Sequence, residues 1–180
     1  MEIEQEHGTT GVWPMTGSER AKEIYLTGLR NQHGVEAQAI ETIERELDRM
    51  EPYPELHARM KEEIIRSKTQ QARLETLLSG HGTSPSATKE MVTSIVGKVA
   101  GVVHLPASDE VIKNLLAAIG YKAYEVGSYK ALITMAKAAG ADGDVQSLEQ
   151  SMHEEMEMAE WQLNHLPRIV EAFISRTETK

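Results

Sequence analysis

The chain has 180 residues, a formal net charge of −9 and a pI of about 5.3; that is long enough for one domain with a real core and too acidic for a general nucleic-acid binder. It has no cysteine, which excludes disulfides, thiolate metal ligands and cysteine nucleophiles. It also lacks the apolar run of about 18 residues that a membrane span needs, and its start, MEIEQEHGTTG, is too polar for a secretory signal, so a cytoplasmic location is the expectation.

Aromatic residues make up only 4% of the chain, while alanine, glutamate, lysine, leucine and methionine are frequent, a composition that favours an all-α protein. Residues 1–17 read as a flexible tail, interrupted by Gly8, Gly11, Pro14 and Gly17 and pinned by Trp13. The domain is expected over 18–176. A first helix is expected over 18–50, with capping-box spacing at Thr16-x-x-Glu19 and a stop at Pro52 and Pro54. Leu26, Leu29, Ile40, Ile43, Leu47 and Met50 step by three and four, the spacing of one buried stripe. His33 and Glu36 fall on it in register. Gly28 and Gly34 each cost about 1 kcal/mol in a helix, which points to close helix contacts there.

A second helix is expected over 54–79, opened by Pro54 and ended by Gly80-His81-Gly82. Its stripe is Leu56, Met60, Glu63, Ser67, Gln70, Leu74 and Leu77. The connection to the first helix is short, so the two form an antiparallel hairpin. The next 28 residues carry a small-residue amphipathic piece at 87–103 before Pro106. That length can cross a helix of about 40 Å, which favours a long crossover containing a short extra helix. The third helix is expected from 108 to 140 with the stripe Val111, Leu115, Ala118, Lys122, Glu125, Tyr129, Leu132 and Ala136. Asp142-Gly143-Asp144 forms a turn with Asp144 as the expected N-cap of the fourth helix. That helix carries Leu148, Met152, Glu155, Ala159, Gln162, Leu166, Ile169 and Phe173, with Pro167 as a kink position.

Each helix thus offers one inward glutamate near mid-length: Glu36, Glu63, Glu125 and Glu155. A carboxylate on a core stripe costs several kcal/mol unless it is paired, protonated or bound to a metal. One glutamate per helix meeting at one level is how bundles build di-iron or di-manganese centres. Oxygen donors with an imidazole suit iron or manganese, and His33, three residues before Glu36, would supply the imidazole. A complete centre of this kind has Glu-x-x-His on two helices, whereas Glu63-x-x-Arg66 and Glu155-x-x-Met158 lack the histidine. Lys122, three residues before Glu125 and inward, could replace a metal as the neutralising charge. His153 and Glu154 adjoin Glu155 but point about 100° away per residue step. Two readings stay open: a carboxylate metal site, or a buried salt-bridge network with Lys122 and Arg66. The tyrosines read as packing residues with one polar tip each. No phosphate loop, nucleophile elbow or Ser/His/Asp set is present.

The stretch LTGLRNQHGVEAQA at 26–39, Gln70-Gln71-Ala72-Arg73-Leu74-Glu75, Tyr124-Glu125 with Tyr129 and Ala136, and Glu154-Glu155 resemble the ferritin-like YciE/YciF family of bacterial stress-associated proteins. The resemblance covers about residues 19–175. It implies a ferritin-like four-helix bundle with an extra short helix in the long crossover, a dimer, a di-metal site and a stress-related role. Glu36, Glu125 and Glu155 match the family's ligands. Its His-x-x-Glu-Thr phrase reads Glu63, Arg66 and Ser67 here, and its Glu-x-x-Glu reads Lys122 and Glu125. Two cations at those places imply a one-metal site or a metal-free core. The expected function is therefore a stress-associated iron or manganese protein with oxidase or peroxide-linked chemistry, with a non-catalytic oligomeric structural protein as the alternative. No nucleic-acid or membrane partner is expected.

Overall fold

Thr16 and Glu19 cap the first helix reciprocally. Glu19 N–H donates to Thr16 Oγ1 at 3.3 Å and Thr16 N–H donates to Glu19 Oε2 at 2.8 Å, the box their spacing predicts. In the computed structural model, which describes residues 16–85 and 110–177, α1 spans Gly17–Glu46 and runs on into a 3-10 turn at Leu47–Met50. Gly17, expected in the tail, is the first residue of α1; the rest of that tail, up to residue 15, lies outside the described residues, as does the short helix expected at 87–103. Helix α2 spans Pro54–Gly80, with the proline in its first turn, where the missing N–H costs nothing. Helix α3 is described over Glu110–Ala138, and α4 spans Val145–Thr177 after a 3-10 turn at Asp142–Asp144. Gly140, at φ +70°, turns the chain between α3 and α4, a conformation that suits a residue without Cβ.

Contacts at the two ends fix the topology. At one end Tyr25 donates its hydroxyl to Asp144 Oδ2 at 2.8 Å, and His81 Nε2 lies 2.7 Å from the same oxygen. Asp144, expected as a helix cap, therefore spends its carboxylate tying the start of α1 to the end of α2 and the α3–α4 turn. At the other end Asn114 donates to Glu46 at 2.9 Å and Arg168 to Glu55 at 3.1 Å. Helices α2 and α3 thus run parallel. The chain leaves α2 at one end and enters α3 at the other, which is the long crossover expected from the sequence. The fold is an all-α four-helix bundle, with extensive packing of α3 on α4 and α1 on α2, a contact of α1 with α3, and a slighter one of α2 with α4.

The core divides into layers. Tyr25, Leu29, Leu74, Leu78, Leu132, Ala136 and Leu148 fill the end beside Asp144. Leu56, Met60, Leu115, Met158 and Ile169 fill the other. Each buried leucine or methionine side chain contributes roughly 1.5–3 kcal/mol of transfer free energy. These two apolar plugs flank a polar layer at mid-height and keep water from it along the bundle axis.

The expected close contact at Gly28 is present. A Cβ on residue 28 would stand 2.8 Å from Leu132 Cδ2 and 3.2 Å from Met135 Sδ. Leu132 is itself buried and has little room to give way. Gly28→Val should therefore lower stability by about 1–3 kcal/mol through overpacking of the α1–α3 contact, read as a shift in urea midpoint. An unchanged midpoint would mean the two helices part freely there.

Candidate metal centre

The polar layer is built from the middle turn of each helix. Glu36 on α1, Glu63 on α2, Glu125 on α3 and Glu155 on α4 are all at most 1% exposed, and Lys122 on α3 is 3% exposed. The residues expected inward at mid-length do converge. Carboxylate oxygens of Glu36, Glu125 and Glu155 lie within 4.8 Å of one another.

Lys122 reaches three of the carboxylates. Its Nζ donates to Glu155 Oε2 at 2.6 Å and lies 2.6 Å from Glu63 Oε1 and 2.8 Å from Glu125 Oε2. Burial alone would push the ammonium down; the facing charges of Glu125, Glu155 and Glu63 outweigh it and hold the group well above its usual range. Glu36 is held differently. Tyr129 donates its hydroxyl to Glu36 Oε1 at 2.7 Å, and Gln32 Nε2 donates to the same oxygen at 3.1 Å.

Four carboxylates against one ammonium leave an excess of negative charge in a dry layer. Burial, then the charge of Glu155, pushes the Glu36 carboxyl up to about 7. Burial likewise raises Glu63, and Glu125 well above the usual range, against the pull of Lys122. Burial and the nearby Glu36 raise the Tyr129 hydroxyl strongly, so it stays a protonated donor. Without a metal Glu36, Glu63 and Glu125 therefore hold protons more readily than exposed carboxylates do; a dication would displace them.

Glu36 Oε2, Glu125 Oε1 and Glu155 Oε1 are buried and have no hydrogen-bond donor. Orphaned buried carboxylate oxygens are costly unless a proton or a cation satisfies them. All-oxygen donors suit a hard or borderline dication, so the residues present fit such an ion.

His33 is placed elsewhere. Its Nε2 lies 2.9 Å from Glu75 Oε1 on the flank of α2. The inward position one turn before Glu36 belongs to Gln32, 1% exposed. The stripe counted from Leu26 favours residue 33, whereas the buried one runs through Tyr25, Leu29, Gln32, Glu36 and Ile40. Reading a buried amide four residues before Glu36 would have found Gln32. Ser151, four residues before Glu155 and 1% exposed, was missed in the same way.

Arg66 does little for the cluster. Its Nε stands 4.0 Å from Glu63 Oε2, while Nη1 donates to the Glu154 carbonyl at 3.0 Å and to Glu157 Oε2 at 3.3 Å. Glu154 faces α2 and accepts both guanidinium arms of Arg73, at 2.6 and 2.8 Å. Although burial works against it, that pairing holds the Glu154 carboxyl below its usual range. His153 is turned to the carbonyl of Glu149.

The sequence profile of the family described as "Domain of unknown function (DUF892)" matches residues 20–175. A protein of Xanthomonas campestris pv. campestris of known crystal structure superposes with a TM-score of 0.74 at 28% identity, covering 88% of this chain and 99% of that one. YcfI of Rhodopseudomonas palustris superposes with a TM-score of 0.69 at 19% identity, over 87% of this chain and 98% of its own. The second likeness speaks for the fold alone. Among the described residues no helix is long and apolar enough to cross a membrane.

Proposed function

We propose, from the premise that this chain belongs to the DUF892 family, that its bundle core is a binding site for divalent iron or manganese, held by Glu36, Glu125 and Glu155. The carrying observation is the meeting of these three buried carboxylates, with oxygens within 4.8 Å of one another and one oxygen of each lacking a donor. Iron or manganese bound there would supply redox chemistry toward dioxygen or peroxide, in keeping with the stress-associated role that the resemblance to YciE/YciF proteins implies. Tyr129 and Gln32 fix Glu36 through its Oε1 and leave its Oε2 free for the ion. Glu63 stands beside the site on Lys122, and the apolar plugs above and below exclude bulk water.

Elemental analysis of protein from metal-replete cells, and of chelator-treated protein reloaded anaerobically with Fe(II) or Mn(II), tests this. Bound metal that survives gel filtration is expected in the native chain, with a loss of at least tenfold in affinity in Glu125→Gln or Glu36→Gln, since each removes a charged ligand. No retained metal under either condition sinks the reading. The ion pairs of Lys122 at 2.6–2.8 Å favour a second reading in that event. The core is then a salt-bridged layer that specifies helix register, and the protein works without metal as a structural, self-associating stress protein.

A further inference from the structure

Lys122 does more than dilute the charge of the core. Glu125 gives Oε2 to the ammonium and keeps Oε1 without a donor; Glu155 gives Oε2 and keeps Oε1 likewise. Each of these carboxylates therefore has one oxygen on Lys122 Nζ and a second, buried and unpartnered, left for another cation, the division of labour of a carboxylate shared by two cations. The third partner of Nζ, Glu63 Oε1 at 2.6 Å, comes from a further helix and does not belong to the open group. The ammonium is thus embraced by one carboxylate from each of α2, α3 and α4, an oxygen set that suits a dication.

We infer that Lys122 Nζ is a tethered cation standing in a second metal position, so that the native core takes a single ion and a latent second site opens when the ammonium is removed. This rests on the reading of Glu36, Glu125 and Glu155 as ligands. The arrangement has a consequence for chemistry. With a covalently held charge in one position, electrons cannot be shared between two metal ions, and reactions that draw on a metal pair are closed to the native chain. Lys122 also offsets part of the charge of Glu63, Glu125 and Glu155 when no metal is present, which lessens the dependence of the bundle on metal loading. Its side chain leaves the helix one turn before Glu125, and the shorter carboxylate of Lys122→Glu would stand back from Glu63 and Glu155, leaving between them the space that the ammonium fills.

The test is anaerobic Mn(II) titration of the full-length chain, read by metal-to-protein ratio and by electron paramagnetic resonance. The native protein should bind a single Mn(II) per chain with the signal of an isolated ion. Lys122→Glu should take up a second ion and show the broadened signal of an exchange-coupled pair. Lys122→Gln, neutral and similar in size, guards against a folding defect; it too should accept a second ion, with weaker affinity. Helical circular dichroism with metal present confirms that each variant is folded. A single ion in the native chain and in both folded variants overturns the inference while leaving the site reading intact. Two coupled ions in the native chain also overturn it. No binding by any of the three removes the inference and the site reading together.

Discussion

Lys122→Met should cost the metal-free protein about 3–5 kcal/mol, the range for breaking a buried ion pair from one side. The side chains are similar in length, so the loss is of charge and not of volume. Glu63, Glu125 and Glu155 would keep their buried oxygens at 2.6–2.8 Å from a site with no ammonium. Three facing carboxylates cannot all remain ionised in a dry layer, and the cheapest relief is to take up protons. The penalty should therefore be larger at pH 8 than at pH 5.5. Urea unfolding in the presence of a chelator measures it. Added Mn(II) should return part of the stability, because a ligand that binds only the folded chain shifts the equilibrium toward it. A loss below about 1 kcal/mol at pH 8, the level of an exposed pair, would mean that the native core is already protonated and owes little to Lys122.

Metal-free stability should fall as pH rises from about 4.5 toward 7. The sign follows from proton counting. Glu36 has a folded pKa of about 7 against an ordinary value of 4.5. Between those values the folded chain holds a proton that the unfolded chain has released. Where the folded state binds more protons, stability declines as pH increases. Glu36 acting alone would contribute on the order of 3 kcal/mol across that window, and Glu63 and Glu125 are shifted in the same direction. Glu154 works the other way: its lowered carboxyl contributes stability above the ordinary carboxylate range and loses it as pH falls through the folded value. Its effect lies below the window and leaves the sign within it unchanged. Unfolding midpoints in chelator at pH 5, 6, 7 and 8 test the slope. Glu36→Gln, neutral and of the same shape, should flatten it. A midpoint that rises over this range would show that the core carboxylates are ionised throughout. With a dication present the slope should diminish or reverse, since the ion competes with the same protons.

Much of this was legible in the sequence because it depends on period and punctuation. The capping box at Thr16 and Glu19, the start of α2 at Pro54 and the end of α3 just before Gly140 are local events, set by residues within a few positions of the backbone groups concerned. The mid-length glutamates were legible for a different reason. A charged residue on an otherwise apolar stripe must be paid for by a partner, so its presence announces a site before the partner is known. His33 shows where that logic stops. Residues 32 and 33 differ by about 100° around the helix, and both are three or four positions from Glu36. Which one faced inward depended on how α1 was rotated against its neighbours. Packing of Tyr25 and Leu29 against Leu74 and Leu132 in one core cluster set that rotation and turned His33 to Glu75.

The sequence by itself determined an all-α chain, the limits of its hairpins, the need for a long α2–α3 connection and the presence of four core carboxylates with one lysine among them. These follow from helical periodicity, capping chemistry and the cost of burying charge, all of which act along a single helix. Only the tertiary structure decided what the carboxylates hold. Lys122 could have met any of them, or reached past them to solvent along a flexible stem. Its contacts with Glu63, Glu125 and Glu155, and the separate anchoring of Glu36 by Tyr129 and Gln32, depend on the relative height and rotation of four helices. Those quantities are fixed by the fit of the apolar plugs at either end, where small errors cost packing energy, and no single helix encodes them.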